Sequence, residues 1–173
     1  LKGEEYINEI IGSEKQSIIL RTSWLMSPFG DNFATKMLQL HKSQSEISVV
    51  SDQIGTPSSA LDLARICLVI INNWSDLKKD KYWKNNILHW SDQGVASWYD
   101  IAVFVGEIAT DLGLIEKPAL VKPIKSSQYK TTAKRPSFSV LDCFDSRNIL
   151  KCKALHWKES LYNLFQYMDK NSQ

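Results

Sequence analysis

Histidine, tyrosine and glycine are the residues of this 173-residue chain whose spacing could build a metal site, a proton-transfer pair or a phosphate loop. The three histidines, His41, His89 and His156, are far apart, and none lies at metal-ligand spacing from a cysteine or a carboxylate. None of the six tyrosines is followed by a lysine at the fourth position, and the seven glycines form no G-x-G-x-x-G or G-x-x-x-x-G-K-[ST] loop. The residues therefore predict a chain that can bind a ligand but has no catalytic residue and no metal site of its own.

The composition is typical of an ordinary soluble globular protein. Hydrophobic residues make up 43% of the chain and charged residues 23%, and the formal net charge of +2 is too small to favour a nucleic-acid polymer as a partner. The odd number of cysteines, three, fits a reducing compartment, so we expect a cytoplasmic protein. The longest apolar run, around Ile66 to Ile71, is far shorter than the ~20 residues that cross a bilayer, so we expect no membrane partner.

Helices and short strands alternate along the chain, and this order predicts an α/β fold. Apolar periodicity predicts strands over 17–24, 46–51, 87–90 and 120–125. The same pattern predicts an opening helix from Leu1, a helix capped by Asp31, a helix over 57–73 capped by Thr56, a helix capped by Ser97, and a last helix through Trp157 and Met168. Residues 72–86 and 130–142 are interpreted as irregular connections.

Three of these helices carry more specific expectations. The helix over 57–73 is apolar almost all round, so other structure should cover both of its sides. Asp100 follows Ser97 by three residues, which is an acidic variant of the capping box. No capping residue precedes Leu1, so we expect the opening helix to start before the first residue of this chain.

Four stretches resemble, in this order and spacing, the C-terminal part of the dTDP-4-dehydrorhamnose reductase family: RTSWLMSPFGDNFATKML (21–38), VVSDQIGTPSSALDLA (49–64), ILHWSDQGVASWYDIA (87–102) and AKRPSFSVLD (133–142). These extended short-chain dehydrogenases make dTDP-L-rhamnose for bacterial surface polysaccharide, and they join a Rossmann domain to a smaller region that closes over the nucleotide sugar. The resemblance covers nearly the whole chain. It implies a remnant of the Rossmann domain in residues 1–23 and 57–92, and a substrate-binding region in residues 24–56 and 93–173.

The resemblance also carries an expectation about catalysis. In the family a Y-x-x-x-K pair is followed by residues similar to LKGE, which places the catalytic lysine just before Leu1. The tyrosine hydroxyl donates the proton, because the lysine ammonium lowers its pKa. The full-length parent is expected to use NADPH or NADH, with Mg²⁺ in some members. This chain alone is expected to bind no cofactor and to have no reductase activity.

Four substrate-binding residues are implied by the resemblance: Trp24, Asn32, Gln53 and Arg135. Trp24 matches a tryptophan that packs against the sugar, and its alternative role is to fill the core. Asn32 lies beside a helix N-terminus, where its amide either binds a diphosphate oxygen or caps the helix. Gln53 belongs to a D-Q-x-G-x-P-[ST] signature, and Arg135 either offers a guanidinium fork to a diphosphate or forms a structural ion pair. Trp98 is expected only to pack.

The implied ligand is a dTDP-sugar, but a second hypothesis remains open. Some proteins that resemble these reductases are non-catalytic and serve as a regulatory or binding subunit of another enzyme. A Y-x-x-x-K in front of Leu1 would favour the reductase, and its absence would favour the subunit. Because strands 17–24 and 87–90 and the helix over 57–73 would belong to a larger sheet, we also expect self-association or a homodimer.

Overall fold

The computed structural model describes residues 2–11, 17–80, 83, 85–133 and 135–171, which form a mixed α/β fold as predicted. The helices are α1 (Lys2–Ile11), α2 (Phe33–Ser43), α3 (Ala60–Asn72), α4 (Trp74–Leu77), α5 (Trp98–Asp111), α6 (Phe144–Leu150) and α7 (Trp157–Lys170). The strands are β1 (Ile19–Arg21), β2 (Leu25–Met26), β3 (Glu46–Val50), β4 (Ile54–Gly55), β5 (Ser58–Ser59), β6 (Ile87–His89), β7 (Ala96–Ser97) and β8 (Leu120–Ile124). A 3-10 turn spans Ser126–Gln128. Leu1 lies outside the described residues.

Each of these strands pairs with one other strand in the part of the chain that the structure describes. The pairs β1–β6, β2–β5 and β3–β8 are parallel, and β4–β7 is antiparallel. Parallel partners are distant in sequence because a parallel pair needs a long crossover connection. The strands predicted over 46–51, 87–90 and 120–125 are confirmed with slightly shorter limits. Pro123 lies in β8 opposite Val49, and β8 pairs with β3 alone among the described strands, so proline occupies an edge strand.

The strand predicted over 17–24 is interrupted, and the interruption falls on a candidate site residue. β1 ends at Arg21, Trp24 has a φ of +43°, and β2 begins at Leu25. A strand needs φ near −120°, so a residue in the left-handed region ends one strand and redirects the chain. The chain thereby leaves the pairing with β6 and takes up the pairing with β5.

The first of two hydrophobic core clusters is centred on α5. Ile101 and Val105 of this helix are fully buried, as is Phe165 of α7, and residues of α2 and β3 complete the cluster. Trp24 and Trp98 are partly buried and pack against it. The first core cluster therefore supports the side of the molecule on which these two indoles lie.

The second core cluster lies around α3 and β6. Ile66 and Ile70 of α3 are buried against Leu88 and Trp90, and Ile149 of α6 joins them. The sequence analysis missed α6, and it treated residues 72–86 as irregular, whereas residues 74–77 form α4. These short helices are stabilised by packing on the second core cluster, to which the tertiary fold brings them.

The start of α2 differs by one residue from the prediction. Asn32, and not Asp31, is the N-cap: its Oδ1 accepts from the backbone N–H groups of Ala34 at 3.1 Å and Thr35 at 3.4 Å. Thr35 Oγ1 in turn accepts from the Asn32 N–H at 3.1 Å, which completes a capping box. The predicted box at α5 is confirmed, since the Ser97 N–H donates to Asp100 Oδ2 at 2.8 Å.

The start of α3 is three residues later than predicted. Thr56 is fully buried, and its hydroxyl donates to the carbonyl oxygen of Gly94 at 3.1 Å, so it does not cap a helix. Ser59 takes that role, because its Oγ accepts from the N–H of Asp62 at 3.3 Å. Residues 58–59 instead form β5 before the helix begins.

The prediction that both sides of the apolar helix are covered is wrong. Of α3, only Ile66 and Ile70 are buried, whereas Leu68 is 61% and Ile71 is 66% exposed. The buried pair lies on the face that contacts the second core cluster, and Leu68 and Ile71 are exposed. Helix α1 has no buried residue at all. Within the described residues no helix is long and apolar enough to cross a membrane.

Candidate functional site

The four residues implied as substrate-binding lie around one open groove, with a cavity volume of about 1370 Å³. Its walls are formed by α2, by β3 and Gln53, by the segment around Trp24, by the first residue of α5, and by residues within 126–133 together with Arg135. Trp24, Asn32, Gln53 and Arg135 all line it. The structure thus brings together residues that are as many as 111 positions apart in the sequence.

Trp24 is held in a strained conformation by tertiary contacts. Its φ of +43° is rare for a residue with a large side chain and costs of order 1–3 kcal/mol, so surrounding contacts must stabilise it. The indole stacks on that of Trp98, with ring centroids 3.8 Å apart and planes at 13°. Its carbonyl oxygen accepts from the Ser58 N–H at 3.1 Å. Trp24 both packs on the first core cluster and presents a surface to the groove.

Gly55 makes this placement of the indole possible. A Cβ atom at that position would lie 2.5 Å from Cε2 of Trp24 and 2.8 Å from Oγ of Ser139. Real Cβ atoms do not approach heavy atoms so closely, so only glycine lets the indole lie against β4. The close approach of the indole is therefore the physical reason for a glycine at this position of the D-Q-x-G-x-P-[ST] signature.

Trp98 is the main residue of the groove that the sequence analysis missed. Besides its stack on Trp24, its ring lies 4.6 Å from that of Phe33, and its Nε1–H donates to Oε1 of Gln53 at 3.2 Å. The signal was present in the sequence, because an aromatic residue follows the Ser97 cap in one of the four matching stretches. Its position at the first turn of α5 places it at the groove wall and not in the centre of the core.

Asn32 has a structural role that occupies both polar atoms of its amide. In addition to the cap formed by Oδ1, its Nδ2 donates to the carbonyl oxygen of Ser27 at 2.8 Å. The capping alternative is therefore present in the structure. The cap uses the N–H groups of Ala34 and Thr35, and it places the N-terminus of α2 on the groove.

One wall of the groove is a surface segment that is attached to residues 52–54 at both ends. We name residues 127–133, 135 and 136 the rim segment. Before it, Asp52 accepts from the Ser126 N–H at 2.8 Å and from the Ser126 hydroxyl at 3.0 Å. After it, the Ile54 N–H donates to the carbonyl oxygen of Ser137 at 2.8 Å, and the Ser139 N–H donates to that of Ile54 at 2.8 Å. Gln53 lies between these two anchors.

Two cations face the groove from different walls. Arg135 lies on the rim segment and Lys36 on α2, and both are exposed. Neither forms an ion pair with another described residue, so the ion-pair alternative for Arg135 finds no partner in that part of the chain. Asp31 is the acidic residue at the same groove. The groove therefore combines aromatic faces, an amide and two available positive charges.

The three histidines have structural partners. His41 is buried between two backbone groups: Nε2 lies 2.9 Å from the Ala102 oxygen, and Nδ1 accepts from the Ala119 N–H at 3.1 Å. His89 Nδ1 lies 3.1 Å from a backbone oxygen, and His156 Nδ1 accepts from the first turn of α7. In the described ranges no group of three acidic, histidine or cysteine side chains could hold a metal ion.

The glycine spacing of this chain does not match the phosphate-binding loop of a Rossmann dinucleotide site. That loop has glycines two and three positions apart before a helix. The two most closely spaced glycines here, Gly106 and Gly113, are seven positions apart, and Gly106 lies inside α5.

The fold and the groove define a ligand-binding region of the α/β class. The model of the RmlD substrate-binding domain matches residues 1–170. The chain belongs to this family.

Individual relatives agree with the family match. A dTDP-4-dehydrorhamnose reductase of Aggregatibacter actinomycetemcomitans is 34% identical over 154 residues, which are 89% of this chain and 51% of the relative. The crystal structure of the reductase from Clostridium acetobutylicum ATCC 824 has a TM-score of 0.78 and 32% identity, over 97% of this chain and 53% of that one. The reductase of Bacillus anthracis in complex with NADP has a TM-score of 0.80 and 27% identity, over 95% and 52%. The chain spans about half the length of the relatives that it matches.

Proposed function

We propose that this chain is the nucleotide-sugar-binding part of a dTDP-4-dehydrorhamnose reductase, which reduces dTDP-4-dehydro-L-rhamnose to dTDP-L-rhamnose with NADPH or NADH. The family match and the reductase relatives support the assignment. The observation that carries it is the groove, because all four residues implied as substrate contacts line this single cavity.

Each of these residues has a role that suits a dTDP-sugar. Trp24 offers an indole face to the sugar, because aromatic rings pack well against apolar ring faces. Arg135 offers a planar fork to the diphosphate, and Asn32 holds the N-terminus of α2 where anions bind. Gln53 supplies an amide to a polar group of the ligand.

The division into two parts is also a proposal. The second core cluster draws on residues of the segments 1–23 and 57–92, and the first draws on 24–56 and 93–173. Helix α6 departs from this division, since Ile149 and Leu150 pack on the second cluster. We assign cofactor binding in the full-length enzyme to segments other than these 173 residues, because they contain no glycine-rich loop and one relative is in complex with NADP.

Titration calorimetry with dTDP and NADPH tests the assignment. We expect saturable binding of dTDP and no binding of NADPH. Arg135→Ala should weaken dTDP binding roughly tenfold, because a charge-assisted hydrogen bond contributes about 1.5–3 kcal/mol and this guanidinium is exposed. Lys117→Ala removes an exposed cation that does not line the groove, and it should leave the affinity unchanged. Binding of NADPH without dTDP, or of neither, would overturn the proposal.

We also propose that the chain self-associates through its uncovered apolar helices. Tyr6 and Ile10 of α1 and Leu68 and Ile71 of α3 are exposed large side chains, and apolar side chains left uncovered on helices favour association between copies. Light scattering should show an apparent mass that rises with concentration. The double variant Leu68→Glu with Ile71→Glu should return the mass to that of a monomer.

A matched control exists for this measurement. Val95 is 55% exposed outside both helices, so Val95→Glu should leave self-association intact. A wild-type chain that stays monomeric at millimolar concentration would contradict the prediction.

A further inference from the structure

The orientation of the Gln53 amide is fixed by the chemistry of its neighbour. The Nε1 of Trp98 lies 3.2 Å from Oε1 of Gln53. An indole N–H can only donate, so the amide must turn its oxygen, and not its nitrogen, toward Trp98. The NH₂ group of the Gln53 amide remains available as a donor, because no described residue accepts a hydrogen bond from it.

Trp98 is itself held firmly in place. Its ring is stacked on Trp24 at 3.8 Å, lies 4.6 Å from Phe33, and belongs to the first turn of α5. Rotation of the indole away from Gln53 would break both ring contacts. Because the Trp98 ring is held in place, its hydrogen bond fixes the orientation of the Gln53 amide. Gln53 lines the groove.

We propose that Trp98 is a positioning residue that makes Gln53 a hydrogen-bond donor toward the ligand, and that Gln53 thereby selects a ligand with an acceptor oxygen at this point. The proposal rests on the proposed function and names the chemistry of one contact in that site. A pyrimidine carbonyl and a diphosphate both supply such an oxygen. A ligand that presents a donor there meets an unpaired N–H group and is rejected.

Gln53→Glu separates the two hydrogen bonds of this side chain. A carboxylate still accepts from Trp98 but cannot donate to the ligand. We expect the Kd for dTDP to rise at least about tenfold, which corresponds to roughly 1.4 kcal/mol. Gln39→Glu is the matched control, because this exposed residue of α2 adds the same charge at the same groove. Gln39→Glu reports the effect of the added charge alone, so it should raise the Kd for dTDP by less than Gln53→Glu does.

Trp98→Phe tests the positioning role. Phenylalanine keeps an aromatic face for Trp24 but has no N–H, so the Gln53 amide can turn over. We expect the Kd for dTDP to rise roughly three- to tenfold, and we expect Trp98→Phe to add little in the Gln53→Glu background, because the two changes act through one contact. Two stacked indoles give a characteristic circular dichroism signal. A far-ultraviolet spectrum that matches the wild type apart from this signal shows that the variant folds.

The outcomes distinguish this inference from the proposed function. If the wild-type chain does not bind dTDP, the proposed function itself is wrong. Wild-type binding with equal Kd values for Gln53→Glu and Gln39→Glu overturns the donor role of Gln53, and an unchanged Kd for Trp98→Phe overturns the positioning role. A loss that Gln53→Glu also shows with thymidine assigns the acceptor to the base, and a loss confined to dTDP assigns it to the diphosphate.

Discussion

Trp24→Ala should weaken dTDP-sugar binding by roughly 5- to 150-fold, because stacking of a ligand ring on an aromatic side chain contributes about 1–3 kcal/mol. The indole stacks on Trp98 and also lines the groove. Alanine removes this surface and also the partner that orients Trp98.

The measurement for this variant is calorimetric titration with a dTDP-sugar, combined with circular dichroism. Two indoles stacked at 3.8 Å give an exciton couplet, which Trp24→Ala should abolish. Trp24→Phe keeps an aromatic face and should retain most of the affinity. Gly55→Ala keeps the indole but displaces it, since the new Cβ would lie 2.5 Å from Cε2, so it should give an intermediate loss. Affinity that is unchanged in Trp24→Ala would exclude this residue from the site.

Asp92→Asn should stabilise the protein at pH 7 by up to about 3 kcal/mol, since one unit of pKa shift corresponds to about 1.4 kcal/mol. Asp92 is 3% exposed, and its Oδ1 has no hydrogen-bond partner among the described residues. Burial raises the pKa of this carboxyl from 3.8 to about 6, although Ser160, the Ser59 backbone and Arg147 favour its charged form. Asparagine has the same shape but carries no charge that must be buried.

The sign of the pH dependence follows from the same pKa values. Between pH 3.8 and about 6 the folded protein keeps a proton on Asp92 that the unfolded chain has released. The contribution of this group to stability is therefore full below that range and is lost as the pH rises through it. Urea unfolding at pH values from 4 to 7 should show this decline in the wild type and its absence in Asp92→Asn.

A control for the pH series is Glu116→Gln, which neutralises an exposed carboxylate in a surface loop. It should change the free energy of unfolding by less than about 0.5 kcal/mol and keep the pH dependence of the wild type. Equal pH profiles for the wild type and Asp92→Asn would show that the carboxyl is ionised in the folded state without cost.

Local sequence patterns were sufficient for the elements whose signals lie within a few residues. The capping box of Ser97 and Asp100, three positions apart, fixed the start of α5, and the apolar spacing through Trp157 and Met168 located α7. Alternation within β3 was enough to identify that strand. The fold class and the family also followed from the sequence, because four stretches in a fixed order carry more information than any one of them.

Long-range contacts decided the features that the sequence did not determine. The Thr56 hydroxyl donates to the carbonyl oxygen of Gly94, 38 positions away. Ser59 therefore serves as the N-cap of α3. The hydrogen bond between Trp98 and Gln53 joins residues 45 positions apart. Such contacts form only after the chain has packed, and a buried polar group takes whichever partner packing brings to it, because leaving it unpaired costs about 1–3 kcal/mol. The sequence thus pointed to four residues of the groove, whereas tertiary packing brought Trp98 to them and determined which of their atoms remain available to a ligand.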